Sequence, residues 1–216
     1  MKKINKSVIV LLIVMMLLSL TNLLNIKVDG EVLKLSGISV IVGIIAYFTT
    51  RKTNNTKTEG LDIKRIFKDF KNPKAIIFTL MSFASVIVCT VIANKFLPEF
   101  DEHVKSRISF ATSSDLMKTI LSMAVMTLGE EIAWRAFFQK QTSKIMHFIP
   151  SIILTSLLFA LGHFSSGSFK IVAYDLLFVF IDSTLFGLVF KETNNAWCSW
   201  IPHFLADVLA LLLLMI

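Results

Sequence analysis

Seven apolar runs, separated by polar stretches, constrain the fold of this chain more than any other feature. They lie at about 7–26, 32–50, 75–97, 116–138, 150–164, 171–190 and 196–216, and the fifth is short. A helix of roughly 20 apolar residues crosses about 30 Å of hydrocarbon. The runs therefore predict an all-α protein, a multispanning transmembrane helix bundle with about seven spans.

The composition agrees with a membrane protein. Of the 216 residues, 55% are hydrophobic and 17% are charged, an apolar fraction above that of soluble domains. We find no internal repeat and no linker, so residues 1–216 are predicted to form a single integral membrane domain. The first run follows a basic N-terminus but lacks a small-residue cleavage site, which favours an uncleaved first span.

The distribution of charge predicts the orientation of the spans. Basic residues on the cytoplasmic side are the usual signal for orientation, so the N-terminus is predicted to be cytoplasmic. An acidic loop at 99–102 then falls outside the cell. The basic clusters are Lys2, Lys3 and Lys6, the eight Lys or Arg residues of 51–74, and Lys140 with Lys144. Because this clustering explains the net charge of +7, we expect no nucleic-acid partner.

The basic loop at 51–74 contains its own helical pattern. Leu61, Ile63, Ile66, Phe67 and Phe70 alternate with lysines and an arginine at helical spacing. This pattern predicts an amphipathic helix that lies in the headgroup region of the membrane and contacts lipid. A docking surface for a protein partner is the alternative.

Three ionisable residues, Glu130, Glu131 and Arg135, lie inside the fourth apolar run. Charges at that depth are rare and usually mark a functional site. Glu131 and Arg135 are four residues apart in the acid-first order, so they are predicted to pair on one helix face. Glu130 lies about 100° round the helix and is left as the unpaired carboxylate.

Two later runs also carry polar residues four apart, namely Phe159 with His163 and His203 with Asp207. If the fourth and fifth runs form an antiparallel hairpin turning near residues 147–150, Glu130 and His163 lie roughly 22–26 Å from the turn. These two side chains are then level with each other. The depth of His203 is not fixed by this argument.

A carboxylate facing an imidazole in a membrane interior has several possible roles. The pair can act as a general base that takes a proton from water. It can instead be a structural network that ties helices together. Asp175 and Asp182, seven residues apart, allow a third interpretation as the lining of a proton or cation path, although transporters usually show repeats.

A metal centre is a further alternative. Glu130, His163 and His203 are the residue types of a three-ligand catalytic zinc site. The sequence has no H-E-x-x-H motif, and both cysteines, Cys89 and Cys198, lie within apolar runs. We therefore expect no cofactor and no disulfide, with zinc as the alternative.

The three motifs, in this order on three successive spans, resemble the CAAX-protease and bacteriocin-processing group, which includes the Rce1-type prenyl-protein endopeptidases and bacterial Abi proteins. The resemblance covers about 115–216. It implies that Glu130 and His163 activate a water for attack on a peptide carbonyl. It also implies that His203 and residue 207 stabilise the oxyanion, and that Glu131, Arg135 and Phe159 position the site.

Position 207 departs from the Rce1-type pattern, because it is Asp where those enzymes carry Asn. An ionised carboxylate cannot donate a hydrogen bond to an oxyanion. Asp207 is therefore expected either to act in protonated form or to orient His203.

The resemblance implies an intramembrane endopeptidase that hydrolyses a membrane-associated peptide or protein. The Lys, Asn and Ile usage is typical of a low-GC bacterium, so we expect the bacterial cytoplasmic membrane and a peptide leader or bacteriocin precursor as substrate, in processing or self-immunity. The alternative is a non-catalytic immunity or regulatory scaffold that binds a bacteriocin or a sensor kinase.

Overall fold

The computed structural model describes residues 5–24, 27–28, 31–32, 35–53, 59–108 and 115–215, and most of them are helical. The α-helices are α1 (Lys6–Leu20), α2 (Ser36–Thr53), α3 (Ile66–Asp69), α4 (Pro73–Phe96), α5 (Phe100–Ile108), α6 (Leu116–Glu130), α7 (Lys140–Thr142), α8 (Phe148–Gly162), α9 (Phe169–Thr193) and α10 (Ala196–Leu213). The remaining elements are 3-10 turns at Thr21–Leu24 and Ile63–Arg65, a π-helix at Glu131–Gln139, and the antiparallel strands β1 (Lys27–Val28) and β2 (Glu31–Val32).

Every apolar run predicted from the sequence contains a helix. Within the described ranges, four helices are long and apolar enough to cross a membrane, namely Lys6–Leu24, Pro73–Phe96, Phe169–Thr193 and Ala196–Leu213. Ser36–Arg51 and Phe148–Gly162 are apolar but shorter. Large apolar side chains such as Leu80 and Val125 are exposed on the outside of the bundle, as expected for a surface that faces lipid. The predicted helical, multi-pass membrane bundle is confirmed.

The helices begin at residues that cap their free N–H groups. The Asp115 carboxylate accepts hydrogen bonds from the N–H groups of Met117 and Lys118 at the start of α6. Asn72 caps α4, and Pro73 follows it at the first helical position, where its missing N–H costs nothing. Asn195 caps α10 by accepting from the N–H of Trp197.

One end of the bundle gathers the segments that the charge pattern assigned to the cytoplasm. The Asn195 side chain accepts from the Asp62 N–H at 3.1 Å and donates to the Asp62 carbonyl at 2.8 Å, which joins the basic loop to the α9–α10 turn. Lys140 at the end of the fourth run forms an ion pair with Glu59 at 3.0 Å. The basic loop and the end of the fourth run therefore lie at the same end of the bundle, as predicted, and the side that faces the cytoplasm stays a prediction.

The interfacial helix predicted in the basic loop is shorter than its sequence pattern. It consists of the 3-10 turn Ile63–Arg65 and the single turn of α3. The chain leaves the helical conformation before Pro73, which disfavours it in the preceding residue. Ile63 and Phe67 are 61% and 85% exposed, whereas Leu61 and Phe70 pack against the core of the bundle, so only part of the apolar face is free to contact lipid.

The fourth run is one continuous helical rod that changes hydrogen-bond pattern at the charged motif. α6 ends at Glu130, the π-helix extends over Glu131–Gln139, and α7 completes the rod. All nine residues of the π-helix are buried. Such wide turns are uncommon and are often found at functional sites. The predicted continuous α-helix is therefore wrong over this stretch.

Helix α2 packs closely against the π-helix, and Gly43 permits this approach. A Cβ atom at Gly43 would lie 2.5 Å from the Cβ of Ala133. We expect Gly43→Ala to destabilise the protein by about 1–3 kcal/mol, because neither backbone can move without disturbing the core. Thermal unfolding in detergent measures this effect. Gly37→Ala on the same helix is the matched control, since a Cβ there meets nothing within 4 Å, and equal melting temperatures for both variants would refute the close contact.

Candidate active site

The centre of the site is a buried ion pair between Glu131 and Arg135. Arg135 Nε lies 3.4 Å from Glu131 Oε1, and both side chains are almost completely buried. Arg135 also donates through its NH2 group to Ser183 Oγ at 2.9 Å, and its guanidinium lies 5.5 Å from the centre of the Phe159 ring. The predicted pairing is confirmed, and α9 and α8 hold the arginine in place.

His203 lies against both glutamates of the motif. Its Nδ1 is 2.9 Å from Glu131 Oε1, and its Nε2 is 3.5 Å from Glu130 Oε2. Nε2 is also 3.8 Å from Asp207 Oδ2. Because a carboxylate only accepts, Nδ1 carries a proton that it donates to Glu131. The ring is thereby fixed with Nε2 facing Glu130 and Asp207.

Two aromatic contacts set the position of His203. Phe186 on α9 stacks on the imidazole, with ring centres 4.5 Å apart and planes 16° apart. One turn earlier on α10, the Trp200 Nε1–H donates to the Ala124 carbonyl at 3.0 Å and to Thr127 Oγ1 at 3.1 Å. These bonds fix α10 against α6, so that His203 is level with the glutamates.

His163 follows the last residue of α8 and is held by its own helix. Its Nδ1 is 2.8 Å from the Phe159 carbonyl oxygen. Since a carbonyl oxygen only accepts, Nδ1 is the protonated nitrogen, and the lone pair of the neutral ring is on Nε2. The rings of Phe159 and His163 also contact each other, with centres 4.5 Å apart.

Glu130 is the carboxylate of the motif that is accessible from a cavity. Its side chain is 19% exposed, whereas that of Glu131 is 1% exposed. A cavity of about 230 Å³ is lined by Glu130, His163, His203 and Asp207. A second cavity of about 530 Å³, bounded by α1 and α2, is also lined by Glu130 and His163. Within the described residues no direct hydrogen bond joins Glu130 to His163, and His203 is the histidine in close contact with Glu130.

Sequence reasoning missed a second polar cluster beside the first cavity. Asp175 is buried and forms an ion pair with Arg107, whose Nε and NH2 lie 3.1 Å from its two oxygens. His103 Nε2 lies 3.4 Å from the same carboxylate. The spacing of His103 and Arg107, four residues apart, was the available signal. Asp175 and Asp182 both line this cavity, but Asp175 is engaged by Arg107.

The alternative metal set is Glu130, His163 and His203. Among the residues that the structure describes, no group of three His, Cys, Asp or Glu side chains is arranged to hold a metal ion. Cys198 is buried and Cys89 is partly buried, and both are free thiols.

Comparison with known proteins gives one match. Residues 112–209 match the family described as type II CAAX prenyl endopeptidase, Rce1-like. No curated protein and no solved structure matches the chain. The matched region contains all three motifs and every residue assigned to the site. The family implies a peptide hydrolase of the CAAX type, embedded in a membrane. Over residues 112–209, the chain is therefore similar to the Rce1-like family.

Proposed function

We propose that this protein is an intramembrane endopeptidase of the glutamate type, in which Glu130 takes a proton from a water that attacks a peptide carbonyl. The observation that carries the proposal is that two adjacent carboxylates have different surroundings. Glu131 is buried and engaged by Arg135 and His203, while Glu130 lines a cavity shared with His163 and His203. A general base must reach the proton that it removes, and only Glu130 of the two has that access.

His163 supports this reaction as a second group that can accept a hydrogen bond or a proton from the water. Its Nδ1 proton is donated to the Phe159 carbonyl, so the neutral ring has a lone pair on Nε2. Glu130 and His163 line the same two cavities, where a water or a substrate can contact both. We assign His163 to the activation of water together with Glu130.

His203 is assigned to the oxyanion. In its protonated form both ring nitrogens donate, and Nδ1 is already committed to Glu131. A buried carboxylate that orients an imidazole and stabilises its charge is also the arrangement of the serine protease triad. Nε2 then remains as a fixed donor for negative charge that develops on the carbonyl oxygen. Arg135 and Glu131 act through His203 as positioning residues, as does the Phe159 ring.

Asp207 lies 3.8 Å from His203 Nε2, with its side chain 42% exposed. In the protonated form it would donate to the oxyanion beside His203. In the ionised form it orients the imidazole. The contact with His203 supports a role within the site in either form.

The substrate is proposed to be a membrane-associated peptide or protein of a bacterial cytoplasmic membrane, with a peptide leader or bacteriocin precursor as the preferred class. The depth of the cavity within an apolar bundle supports a substrate that partitions into lipid. The composition of the chain supports a bacterial source. A role in bacteriocin processing or self-immunity follows from such a substrate.

Digestion of a peptide library tests this function. The purified chain in detergent is incubated with the library, with and without a chelator, and the products are identified by mass spectrometry. We expect cleavage at defined positions that is unchanged by the chelator. Cleavage that is lost with chelator and restored by zinc would contradict the metal-free mechanism. The absence of any cleavage would favour the binding scaffold.

A further inference from the structure

We call the cavity bounded by α1 and α2 the N-terminal cavity. Its most polar wall is formed by residues that lie outside the family match. Ser19, Asn22, Ser36 and Ser39 line it, together with Arg107, Glu130 and His163. The first four residues precede residue 112, where the match begins. Polar groups in a membrane interior are costly unless they are paired. Four small polar side chains at one site in an apolar bundle therefore indicate a function.

Asn22 is the residue that points to a ligand. It is 5% exposed, and its Nδ2 donates to Ser36 Oγ at 2.9 Å and to the Gly162 carbonyl at 2.7 Å. Within the part of the chain that the structure describes, its Oδ1 accepts no hydrogen bond. The side chain is therefore fixed by two donated bonds and presents a buried, unused acceptor.

Like Asn22 Oδ1, the hydroxyl oxygens of Ser19 and Ser39 are available as acceptors. Ser19 Oγ donates to the Leu158 carbonyl, and Ser39 Oγ donates to the Ser36 carbonyl. A hydroxyl that has donated its proton retains lone pairs and can only accept. Asn22, Ser19 and Ser39 thus offer acceptors, which match N–H donors. Ser36 accepts from Asn22 and keeps its own proton, and Arg107, which also lines the cavity, is engaged by the Asp175 carboxylate.

The wall is also adjacent to the proposed catalytic residues. Asn22 binds the carbonyl of Gly162, the residue directly before His163. A Cβ at Gly162 would lie 3.0 Å from Ser19 Oγ, which shows how closely α1 approaches the end of α8. An extended peptide whose scissile bond lies at Glu130 and His163 would therefore pass this wall.

We propose that the N-terminal cavity is a substrate subsite, in which Asn22 Oδ1 and the adjacent serine oxygens accept N–H groups of the peptide on one side of the scissile bond. The proposal rests on the peptidase function proposed above. It assigns substrate positioning to α1 and α2. The cavity lined by α9 and α10 then receives the other side of the substrate.

Cysteine labelling tests occupancy of the subsite without requiring turnover. Gly37 lines the N-terminal cavity, and a side chain there meets nothing within 4 Å, so Gly37→Cys adds a thiol without a clash. The variant is made with Cys89→Ala, which leaves the buried Cys198 as the remaining native thiol. Library peptides at about ten times their dissociation constant should slow maleimide labelling of Gly37→Cys about tenfold, whether or not the chain cleaves them.

A kinetic variant provides the second measurement. Asn22→Leu should raise KM for these peptides by about 3- to 10-fold with kcat little changed, as expected for the loss of a neutral hydrogen bond to substrate. Thr184→Val is the control, because its hydroxyl donates to the Phe180 carbonyl of its own helix. A lower melting temperature of Asn22→Leu with unchanged KM would show a purely structural role and overturn the subsite.

The outcomes separate the subsite from the peptidase. Cleavage without protection of Gly37→Cys, and with unchanged KM in Asn22→Leu, overturns the subsite and leaves the peptidase intact. Protection by library peptides without any cleavage overturns the peptidase and supports a peptide-binding cavity. Neither protection nor cleavage overturns both.

Discussion

Replacing Glu130 by Gln should reduce the rate of peptide cleavage by about 100- to 10,000-fold, the usual contribution of a general base. The amide has nearly the same shape as the carboxylate, so the fold should be retained, but it cannot accept a proton from water. The rate is measured as kcat/KM on a peptide cleaved by the wild-type chain in detergent. Thermal unfolding of the same preparation checks that the variant is folded.

The matched control for this variant is Glu102→Gln. Glu102 is an exposed carboxylate on α5, with 82% of its side chain accessible and an ion pair with Lys105 at 3.6 Å. This change should leave the cleavage rate within about twofold, in line with the small effects of surface substitutions. If Glu130→Gln cleaved peptide as fast as Glu102→Gln, Glu130 would not be the base.

Replacing Arg135 by Met should lower the free energy of unfolding by about 3–5 kcal/mol, because it leaves Glu131 as a buried charge without its ion-pair partner. The variant also removes the hydrogen bond to Ser183 and the contact with the Phe159 ring. The expected result is a large fall in the midpoint of thermal unfolding in detergent. The orientation of His203 depends on Glu131, so cleavage should be lost as well.

A second arginine provides the control for this experiment. Arg65 pairs with Asp69 at 2.9 Å, also four residues apart, but its side chain is 57% exposed. Arg65→Met should cost about 1 kcal/mol, because Arg65 itself is exposed and the buried Asp69 carboxylate keeps its hydrogen bond from Asn195 Nδ2 at 3.1 Å. Equal losses of stability in the two variants would contradict the assignment of Arg135 to a buried structural pair.

The sequence predicted the local parts of this site because they depend on helical spacing alone. Glu131 with Arg135, Phe159 with His163, and His203 with Asp207 are each four residues apart, and each pair is in contact in the structure. Apolar run length likewise predicted the helices, because the bilayer thickness sets that length. The antiparallel hairpin argument also placed Glu130 and His163 along the walls of the same cavities.

The parts that could not be predicted depend on contacts between distant helices. The depth of His203 is fixed by the hydrogen bond from the Trp200 indole on α10 to the Ala124 carbonyl on α6, and helical spacing contains no information on that contact. The pairing of Arg107 with Asp175 joins a short helix to α9 across 68 residues of sequence. The π-helix at Glu131–Gln139 was missed because its composition does not differ from that of an α-helix.

The central claim is that a water activated by Glu130 is the nucleophile. The most direct test repeats the library digestion in water labelled with heavy oxygen, with mass spectrometry of a single turnover. We predict one heavy oxygen in the new carboxyl terminus of the product and none in the Glu130 side chain. Label in Glu130 would instead indicate a covalent acyl-enzyme, and an unlabelled product would contradict hydrolysis by water.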